Sequence, residues 1–341
     1  MKRIVVQQFG GPEELTIETT DTPEPGPSEV RVRTTSIGLN HAELMARNGA
    51  YRLLSGEPPF VPGLEAGGII ETIGDQVTDW QPGQRVILSP RAPRLPGNVT
   101  PGTYRTHCIV PADQILELPD AVPDEQAGAL WLAYFTAWGC LVHRQQISEW
   151  QWVALPAASS SVALAAAQIV KARGGITVGL TSSPDKVEKL NALETARYDH
   201  LIVTHEPDRS VKKWHREIRD LTEGRGIDVF FDPVAAGPYL SSEVKSLATH
   251  GTLWIYGLLG GTGEVDLTPL IRKRAAIRGY VNDDLLEDDQ CWRAGCAQLL
   301  EGFADGTYQQ AIGGRFAFDD VQQAHRAMEQ AGHIGKLVLL P

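Results

Sequence analysis

The sequence lacks several features that would assign it to a common class of protein. No uninterrupted apolar run reaches the roughly 18 residues of a membrane-spanning helix. The four cysteines among 341 residues are too scattered for a disulfide framework. The amino terminus has no long apolar run and no small-residue cleavage site, so it predicts a strand rather than a signal peptide. Basic residues are outnumbered by acidic ones, and the net charge of −11 disfavours a nucleic-acid binder. Together these absences indicate a cytosolic protein.

The length allows two domains, and the composition changes along the chain. Residues 1–124 are rich in Pro, Gly and β-branched residues, and segments such as 29–33 alternate apolar and polar side chains, as half-buried strands do. We predict that this part is mostly β. A helix near 285–304 and the terminal strand GKLVLL are expected to return to the same domain, over residues 284–341.

Residues 125–283 have a different sequence pattern, which predicts short apolar strands alternating with helices. An apolar helix is predicted over 125–146, and three further helices over 162–173, 185–195 and 211–222. The predicted strands are 152–156, 176–180, 200–204, 227–234 and 252–257, with a sixth at 275–281. Fully apolar strands separated by helices indicate a parallel sheet covered on both faces. The fold class is therefore α/β, with a doubly wound dinucleotide-binding domain inserted into a mostly β domain.

The turn after the first of these strands lacks the usual GxGxxG and reads Leu-Pro-Ala-Ala-Ser-Ser-Ser-Val-Ala over 155–163. Small residues still let the backbone approach a pyrophosphate, and a helix amino terminus offers free N–H groups. Ser160, Ser161 and Val162 are therefore candidate cofactor-binding residues. The alternative is that the serine only caps the helix.

The tip of the second strand lacks the acid that would bind the ribose 2′-hydroxyl of NAD. Ser182, Ser183 and Lys186 stand there instead. Two hydroxyls and a lysine suit a 2′-phosphate, so we expect NADPH to be preferred to NADH. Alternatively, a serine caps the next helix and Lys186 is solvated.

Motifs spread over nearly the whole chain carry a family resemblance. They are GLNHAEL at 38–44, RNGAY at 47–51, PGLEAGGIIETIG at 62–74, WQPGQRV at 80–86, PGTYRTHCIVPAD at 101–113, LTEGRGIDVFFDPVAAG at 221–237 and AHRAMEQAGHIGKLVL at 324–339. In order and spacing they resemble the medium-chain dehydrogenase/reductase superfamily, and its zinc-free quinone oxidoreductase and enoyl reductase branches most of all. The resemblance implies a GroES-like catalytic domain around the nucleotide domain.

The same resemblance implies chemistry without a metal. Asn40 and Leu64 stand where the zinc-dependent branch has its Cys and His ligands, and residues 88–101 contain no cysteine for a structural zinc. Where relatives have glycines this chain has Ser160, Ser161 and Ala163, and Thr204 replaces a tyrosine that supports the 2′-phosphate.

Hydride transfer to a conjugated C=C bond leaves an enolate that needs a proton. By resemblance, Tyr51 would donate that proton or polarise the carbonyl, and Asn40 would orient the substrate. The alternative is that Tyr51 is a packing aromatic. A quinone acceptor would take its electrons from the cofactor and its protons from solvent, so it would need no proton donor in the protein.

Further positions near the cofactor are carried over by motif. Thr136 would lie near the nicotinamide. Two segments at strand ends would also lie beside the nicotinamide, namely Asp232-Pro233-Val234 and Tyr256-Gly257-Leu258-Leu259. His41, His107, Cys291 and Cys296 are expected to be structural.

Three functional hypotheses follow. The first is an NAD(P)H-dependent, zinc-independent reductase of quinones or α,β-unsaturated carbonyl compounds, working as a homodimer joined through the strands near 252–257 and 275–281. The second is an enoyl-thioester reductase of the same fold, and the third is a non-catalytic NADPH-binding protein.

Overall fold

A computed structural model describes residues 1–88, 101–261 and 263–341, which form two compact units. The first unit comprises Met1–Ala133, Leu300–Gly306 and Gln310–Pro341, and the second comprises Tyr134–Leu299 and Thr307–Gln309. The second unit is thus inserted into the first. Its main segment runs from 134 to 299, whereas the sequence placed the borders at 125 and 283.

Within the described residues the strands are β1 Lys2–Val6, β2 Leu15–Thr19, β3 Glu29–Gly38, β4 Glu65–Ile73, β5 Arg85–Leu88, β6 His107–Pro111, β7 Ile115–Glu117, β8 Trp152–Pro156, β9 Ile176–Thr181, β10 His200–Val203, β11 Ile227–Asp232, β12 Leu247–Ile255, β13 Ala276–Gly279, β14 Ile312–Ala317 and β15 Lys336–Leu340. The α-helices are α1 His41–Arg47, α2 Arg52–Ser55, α3 Trp131–Ala137, α4 Ser161–Ala172, α5 Val187–Asn191, α6 His215–Leu221, α7 Gly237–Ser246, α8 Thr268–Lys273, α9 Asp283–Glu287, α10 Asp289–Ala304 and α11 Val321–Gln330. None of these helices has the length and apolar character that crossing a bilayer requires.

The first unit is built on a sheet of order β14-β15-β3-β4-β5-β7, with β6 pairing the outer part of β3. Alternate residues of β3, including Val30 and Val32, are fully buried, as the alternating sequence predicts. The carboxyl end of β3 lies between β4 and β15. Gly38 ends the strand there, and a Cβ at this position would lie 2.2 Å from the Gly128 carbonyl oxygen. Only glycine therefore allows the close approach of chain segments around this strand end.

The second unit is a six-stranded parallel sheet of order β10-β9-β8-β11-β12-β13. The predicted parallel sheet is confirmed. Its central strands are buried on both faces, which explains their unbroken apolar sequences. The strand order reverses between β8 and β11, and in open sheets of this kind ligands bind at the carboxyl ends of the strands beside that switch point.

Several predicted elements differ in extent. The segment 125–146 is not one α-helix, because a 3-10 turn over Asp124–Ala129 precedes α3 and a π-helix over Trp138–Arg144 follows it. Gly139 lies in the wide π turn, where a Cβ would lie 2.2 Å from the Tyr280 hydroxyl oxygen. A side chain at position 139 would therefore have to displace Tyr280.

Other boundaries shift for local reasons. The helix predicted over 185–195 is a 3-10 turn followed by the short α5, and the helix predicted over 211–222 is only α6. The helix predicted over 285–304 is split into α9 and α10, because Asp288 takes an extended conformation between them. β11 stops at Asp232 because Pro233 has no N–H to continue the ladder.

Candidate active site

The loop between β8 and α4 has the form of a phosphate-binding turn. Ser160 is the N-cap of α4, and its Oγ accepts a hydrogen bond from the Ala163 amide at 3.2 Å. This fits the capping alternative, yet the hydroxyl proton of Ser160 is still available to a ligand. Ser161 and Val162 form the first turn of a twelve-residue helix, where amides lack intrahelical acceptors. The loop thus supplies donors and a positive dipole end without any glycine.

The tip of β9 is linked to this loop by a lysine. The Lys186 ammonium donates a hydrogen bond to Ser159 Oγ at 3.0 Å, so a cation bridges the ends of β8 and β9. Burial, followed by the neighbouring Lys189, lowers the pKa of Lys186. Ser182 is exposed and Ser183 half-buried. Sequence reasoning missed Ser159, although it belongs to the run of three serines.

Thr204, which follows β10, faces inwards. It is fully buried, and its hydroxyl donates to the Thr181 carbonyl at 3.1 Å. The hydroxyl therefore ties β10 to β9 and is not directed towards a ligand at the strand tip. Of the residues predicted to hold a 2′-phosphate, Lys186, Ser182 and Ser183 remain as candidates at that tip.

The end of β11 is organised by a buried carboxylate. Asp232 accepts hydrogen bonds from the amides of Val234 and Ala235, both at 2.7 Å, which fixes the loop containing Val234. Glu243 of α7 is also fully buried beside Asp232, and no N–H or hydroxyl of the described residues donates to its carboxyl oxygens. Burial raises the pKa of both carboxyl groups. At least one of the two carboxyl groups is therefore protonated, since two adjacent buried carboxylates would repel each other.

The loop after β12 is attached to the loop after β11. The Tyr256 amide donates to the Asp232 carbonyl, and the Leu259 amide donates to the Pro233 carbonyl, each at 2.9 Å. The Tyr256 ring stacks on Phe231 with ring centroids 4.0 Å apart. Gly257 follows Tyr256, and the side chains of Leu258 and Leu259 are exposed. The two predicted segments thus meet at adjacent strand ends near the switch point.

Thr136 of α3 is positioned by residues that follow β13. Its Oγ1 accepts a hydrogen bond from Asn282 Nδ2 at 3.0 Å, and Asn282 Oδ1 accepts one from the Tyr280 hydroxyl at 2.7 Å. Sequence reasoning did not single out Tyr280 or Asn282. Their place directly after an apolar strand was the available signal.

In the first unit, Asn40 lies in a buried polar cluster rather than alone. Its Oδ1 accepts a hydrogen bond from the Lys336 ammonium, and its Nδ2 donates to Glu65 Oε1 at 3.1 Å and to Glu43 Oε1 at 3.2 Å. Lys336 also forms an ion pair with Glu65, and both side chains are almost fully buried. The amide of Asn40 is thus held from both ends, which fixes its orientation at the end of β3.

A second carboxyl group belongs to this cluster. Glu43 is fully buried and accepts hydrogen bonds from the Asn40 and Leu64 amides. Burial raises the pKa of Glu43 to about 8, although Lys336 and Asn40 favour its charged form. The raised pKa favours the protonated form of Glu43 at neutral pH, beside the ion pair of Lys336 and Glu65.

Tyr51 precedes the short helix α2, and it is 36% exposed. Its hydroxyl makes no hydrogen bond to any described residue, whereas its amide donates to the Met45 carbonyl at 3.1 Å. A partly exposed phenol without an internal partner is free to bind a ligand. This differs from Tyr104, whose buried hydroxyl pairs with His325 Nε2 at 3.1 Å.

Over the described ranges, no three His, Cys, Asp or Glu side chains converge as a metal site. Residues 89–100, the bulk of the segment without zinc-binding cysteines, lie outside the described residues. His107 Nε2 lies 3.6 Å from Glu71 Oε2. Burial lowers the pKa of both His41 and His107. Cys291 and Cys296 are buried on α10.

Two family models match the chain, one in each of the two units. An alcohol dehydrogenase GroES-like domain matches residues 26–120, and a zinc-binding dehydrogenase domain matches residues 161–299. The chain belongs to the medium-chain dehydrogenase/reductase superfamily. The predicted resemblance is confirmed, and quinone oxidoreductases are among its full-length relatives.

Three similar proteins span nearly the whole chain. Quinone oxidoreductase of Mus musculus is 28% identical over 344 residues, covering 100% of this chain and 98% of that protein. A mycobacterial protein solved in complex with NADPH is 25% identical, with a TM-score of 0.85 and full coverage of both chains. A phenolphthiocerol/phthiocerol polyketide synthase of Mycobacterium tuberculosis is 28% identical over 99% of this chain, which spans only 15% of that synthase polypeptide.

Proposed function

We propose that this superfamily member is an NADPH-dependent, zinc-independent reductase of quinones or α,β-unsaturated carbonyl compounds. The observation that carries the proposal is Lys186, whose ammonium joins the tip of β9 to the serine loop at the head of α4. A cation between two strand ends, with helix amides and serine hydroxyls around it, fits a dinucleotide that carries an extra phosphate. The quinone oxidoreductase relatives and the NADPH complex of a similar protein support the same function.

Each group of residues has a separate role in this proposal. NADPH, when bound, supplies the hydride. Its phosphates are held by the first turn of α4 and by Ser182, Ser183 and Lys186. The paired loops after β11 and β12 enclose the space beside the switch point. Thr136, oriented by Asn282, presents its hydroxyl to the same end of the sheet. In the first unit, Tyr51 donates a proton to the reduced substrate or polarises its carbonyl, while Asn40 is kept in one orientation by Lys336 and Glu65.

The direct test is a turnover screen of enones, quinones and enoyl thioesters with NADPH and NADH, run with and without a chelator. The proposal expects oxidation of NADPH by quinones or enones that is unaffected by chelation. A protein that binds NADPH but turns over none of these would be a nucleotide binder instead. Activity lost on chelation and restored by zinc would contradict the metal-free mechanism.

A second candidate, reduction of enoyl thioesters, is favoured by the similarity to a segment of a polyketide synthase. The same hydride donor and the same phenol at Tyr51 would serve, because an enoyl thioester is also a C=C bond conjugated to a carbonyl. The screen separates the two by relative kcat/KM.

Lys186→Ala should remove most of the preference for NADPH. A charge-assisted hydrogen bond is worth about 1.5–3 kcal/mol, so NADPH affinity should fall roughly tenfold or more while NADH affinity hardly changes. Fluorescence titration of both cofactors measures this. Lys189→Ala, on the exposed side of α5, is the matched control and should change both affinities little. Equal affinities of the wild type for the two cofactors would refute the role assigned to the β9 tip.

We also propose a homodimer joined through β13. This strand is an edge of the parallel sheet, since β12 is its only partner among the described strands. Exposed apolar side chains surround it, with Leu267 59%, Ile271 77% and Val281 52% exposed. Two such edges related by a two-fold axis would pair their free backbone groups and cover these side chains.

Light scattering at micromolar concentration should therefore give the mass of a dimer. Ile271→Glu should shift the protein towards monomer, because it places a charge in the proposed seam. Ile17→Glu is the control, since Ile17 is an exposed apolar residue of the first unit. A monomeric wild type would rule out the seam.

A further inference from the structure

A cationic cavity of the second unit stands apart from the groups assigned above. It has a volume of about 640 Å³ and lies between the residues that lead into α6 and the helix α7. None of its lining residues is among those assigned to the cofactor above, although Gly263 and Glu264 lie further along the loop after β12. Its size lies within the range of roughly 300–1,000 Å³ that small-molecule sites occupy.

The charges around the cavity are unbalanced. Lys212, Lys213 and Lys245 line it, and none of the three ammonium groups lies within salt-bridge distance of a described carboxylate, although Lys245 is near enough to Asp266 to lower the pKa of that carboxyl. Glu264 is the single carboxylate among the described lining residues. In a chain with a net charge of −11, three ammonium groups around one cavity produce a local positive potential.

Two polar groups of the residues that line the cavity also lack partners in the described part of the chain. Ser242 is 7% exposed, and its hydroxyl makes no hydrogen bond with any described residue. The Nδ1 atom of His215 is buried and likewise has no partner within the described ranges. The Ser242 hydroxyl is therefore available to donate a hydrogen bond to a ligand in the cavity.

The head of α7 contributes a third feature. Gly237, the first residue of this ten-residue helix, lines the cavity, so the positive end of the helix dipole lies beside the lysines. Burial, followed by Lys245, lowers the pKa of His215, which reports the same positive surroundings. Dipole, ammonium groups and hydroxyl all favour one kind of ligand, an anion with several acceptor oxygens.

We infer that this cavity binds a phosphorylated small molecule at a site separate from the dinucleotide. Lysines act on phosphate as point charges, and the Ser242 hydroxyl can donate to a phosphate oxygen. The volume exceeds what one phosphate fills. Val211 and Pro238 add apolar wall for the remainder of the ligand.

The test is titration calorimetry with pyrophosphate at constant ionic strength. Pyrophosphate should bind the wild type, and K213Q/K245Q should weaken the affinity at least tenfold. Both lysines are exposed, so the double variant should fold normally. S242A should weaken binding severalfold. Arg293→Gln, which removes an exposed positive charge from α10, should leave the affinity unchanged and serves as the control for net charge.

Pyrophosphate could also bind the serine loop, so K186A is titrated alongside. Binding that survives K186A and is lost in K213Q/K245Q supports the inference. Binding that is lost in K186A and survives K213Q/K245Q assigns the anion to the dinucleotide site and overturns it. No binding of pyrophosphate to the wild type also overturns it.

Discussion

Lys336→Met should lower the free energy of unfolding by about 3–5 kcal/mol, because it leaves the buried Glu65 carboxylate without its cation. Lys336 is 1% exposed and Glu65 is fully buried, so water cannot replace the lost partner. Within the described ranges, the donors that remain to the Glu65 carboxylate are the Asn40 side-chain amide and the Leu132 backbone amide, at 3.1 and 2.9 Å. Two neutral donors do not compensate a buried charge. Urea denaturation of the wild type and the variant measures the loss.

The control is Lys2→Met, which breaks the exposed ion pair of Lys2 with Asp319 in the same unit. Exposed pairs contribute about 0–1 kcal/mol, so this variant should stay close to the wild type. Adding Glu65→Leu to Lys336→Met should recover part of the loss, since an apolar pair leaves no uncompensated charge. If Lys336→Met cost no more than Lys2→Met, the cluster around Asn40 would not be held by this ion pair.

The parallel sheet of the second unit was predictable because its strands have a distinctive sequence pattern. β8, β9 and β11 are short apolar runs bounded by polar or turn-forming residues, and burial on both faces demands that composition. Helix ends were less predictable. The 185–195 segment has helical charge spacing, yet Tyr198 near its end is buried and donates to the Ala158 carbonyl, a tertiary contact that local sequence does not encode.

The polar site was predictable only where its residues are neighbours in sequence. The serines of the loop before α4 and Lys186 follow strand ends, so their place at the carboxyl edge of the sheet could be inferred. The contact of Lys336 with Asn40 joins residues 296 positions apart, and no periodic pattern connects them. The same holds for the buried pair of Asp232 and Glu243, since a glutamate on a short helix ordinarily faces solvent.

Tyr51→Phe should reduce turnover of an enone roughly a hundredfold while leaving NADPH affinity and stability nearly unchanged. General acid catalysis contributes about 10²–10⁴-fold, and the phenol is the group we assign to that step. The Tyr51 hydroxyl has no partner among the described residues, so its removal breaks no internal hydrogen bond. The loss should appear in kcat and in kcat/KM alike, as it does when an interaction exists only in the transition state.

Tyr104→Phe is the matched control, because it removes a phenol hydroxyl that has a structural partner. That hydroxyl is buried against His325, so its loss should cost about 1 kcal/mol of stability and little turnover. Stopped-flow reduction of an enone, NADPH titration and thermal melts of both variants separate the two roles. A rate for Tyr51→Phe equal to that of the wild type would make Tyr51 a packing residue. With a quinone as substrate the loss should be smaller, since solvent can supply the protons, and the ratio of the two losses tests the proton-donor role independently of folding.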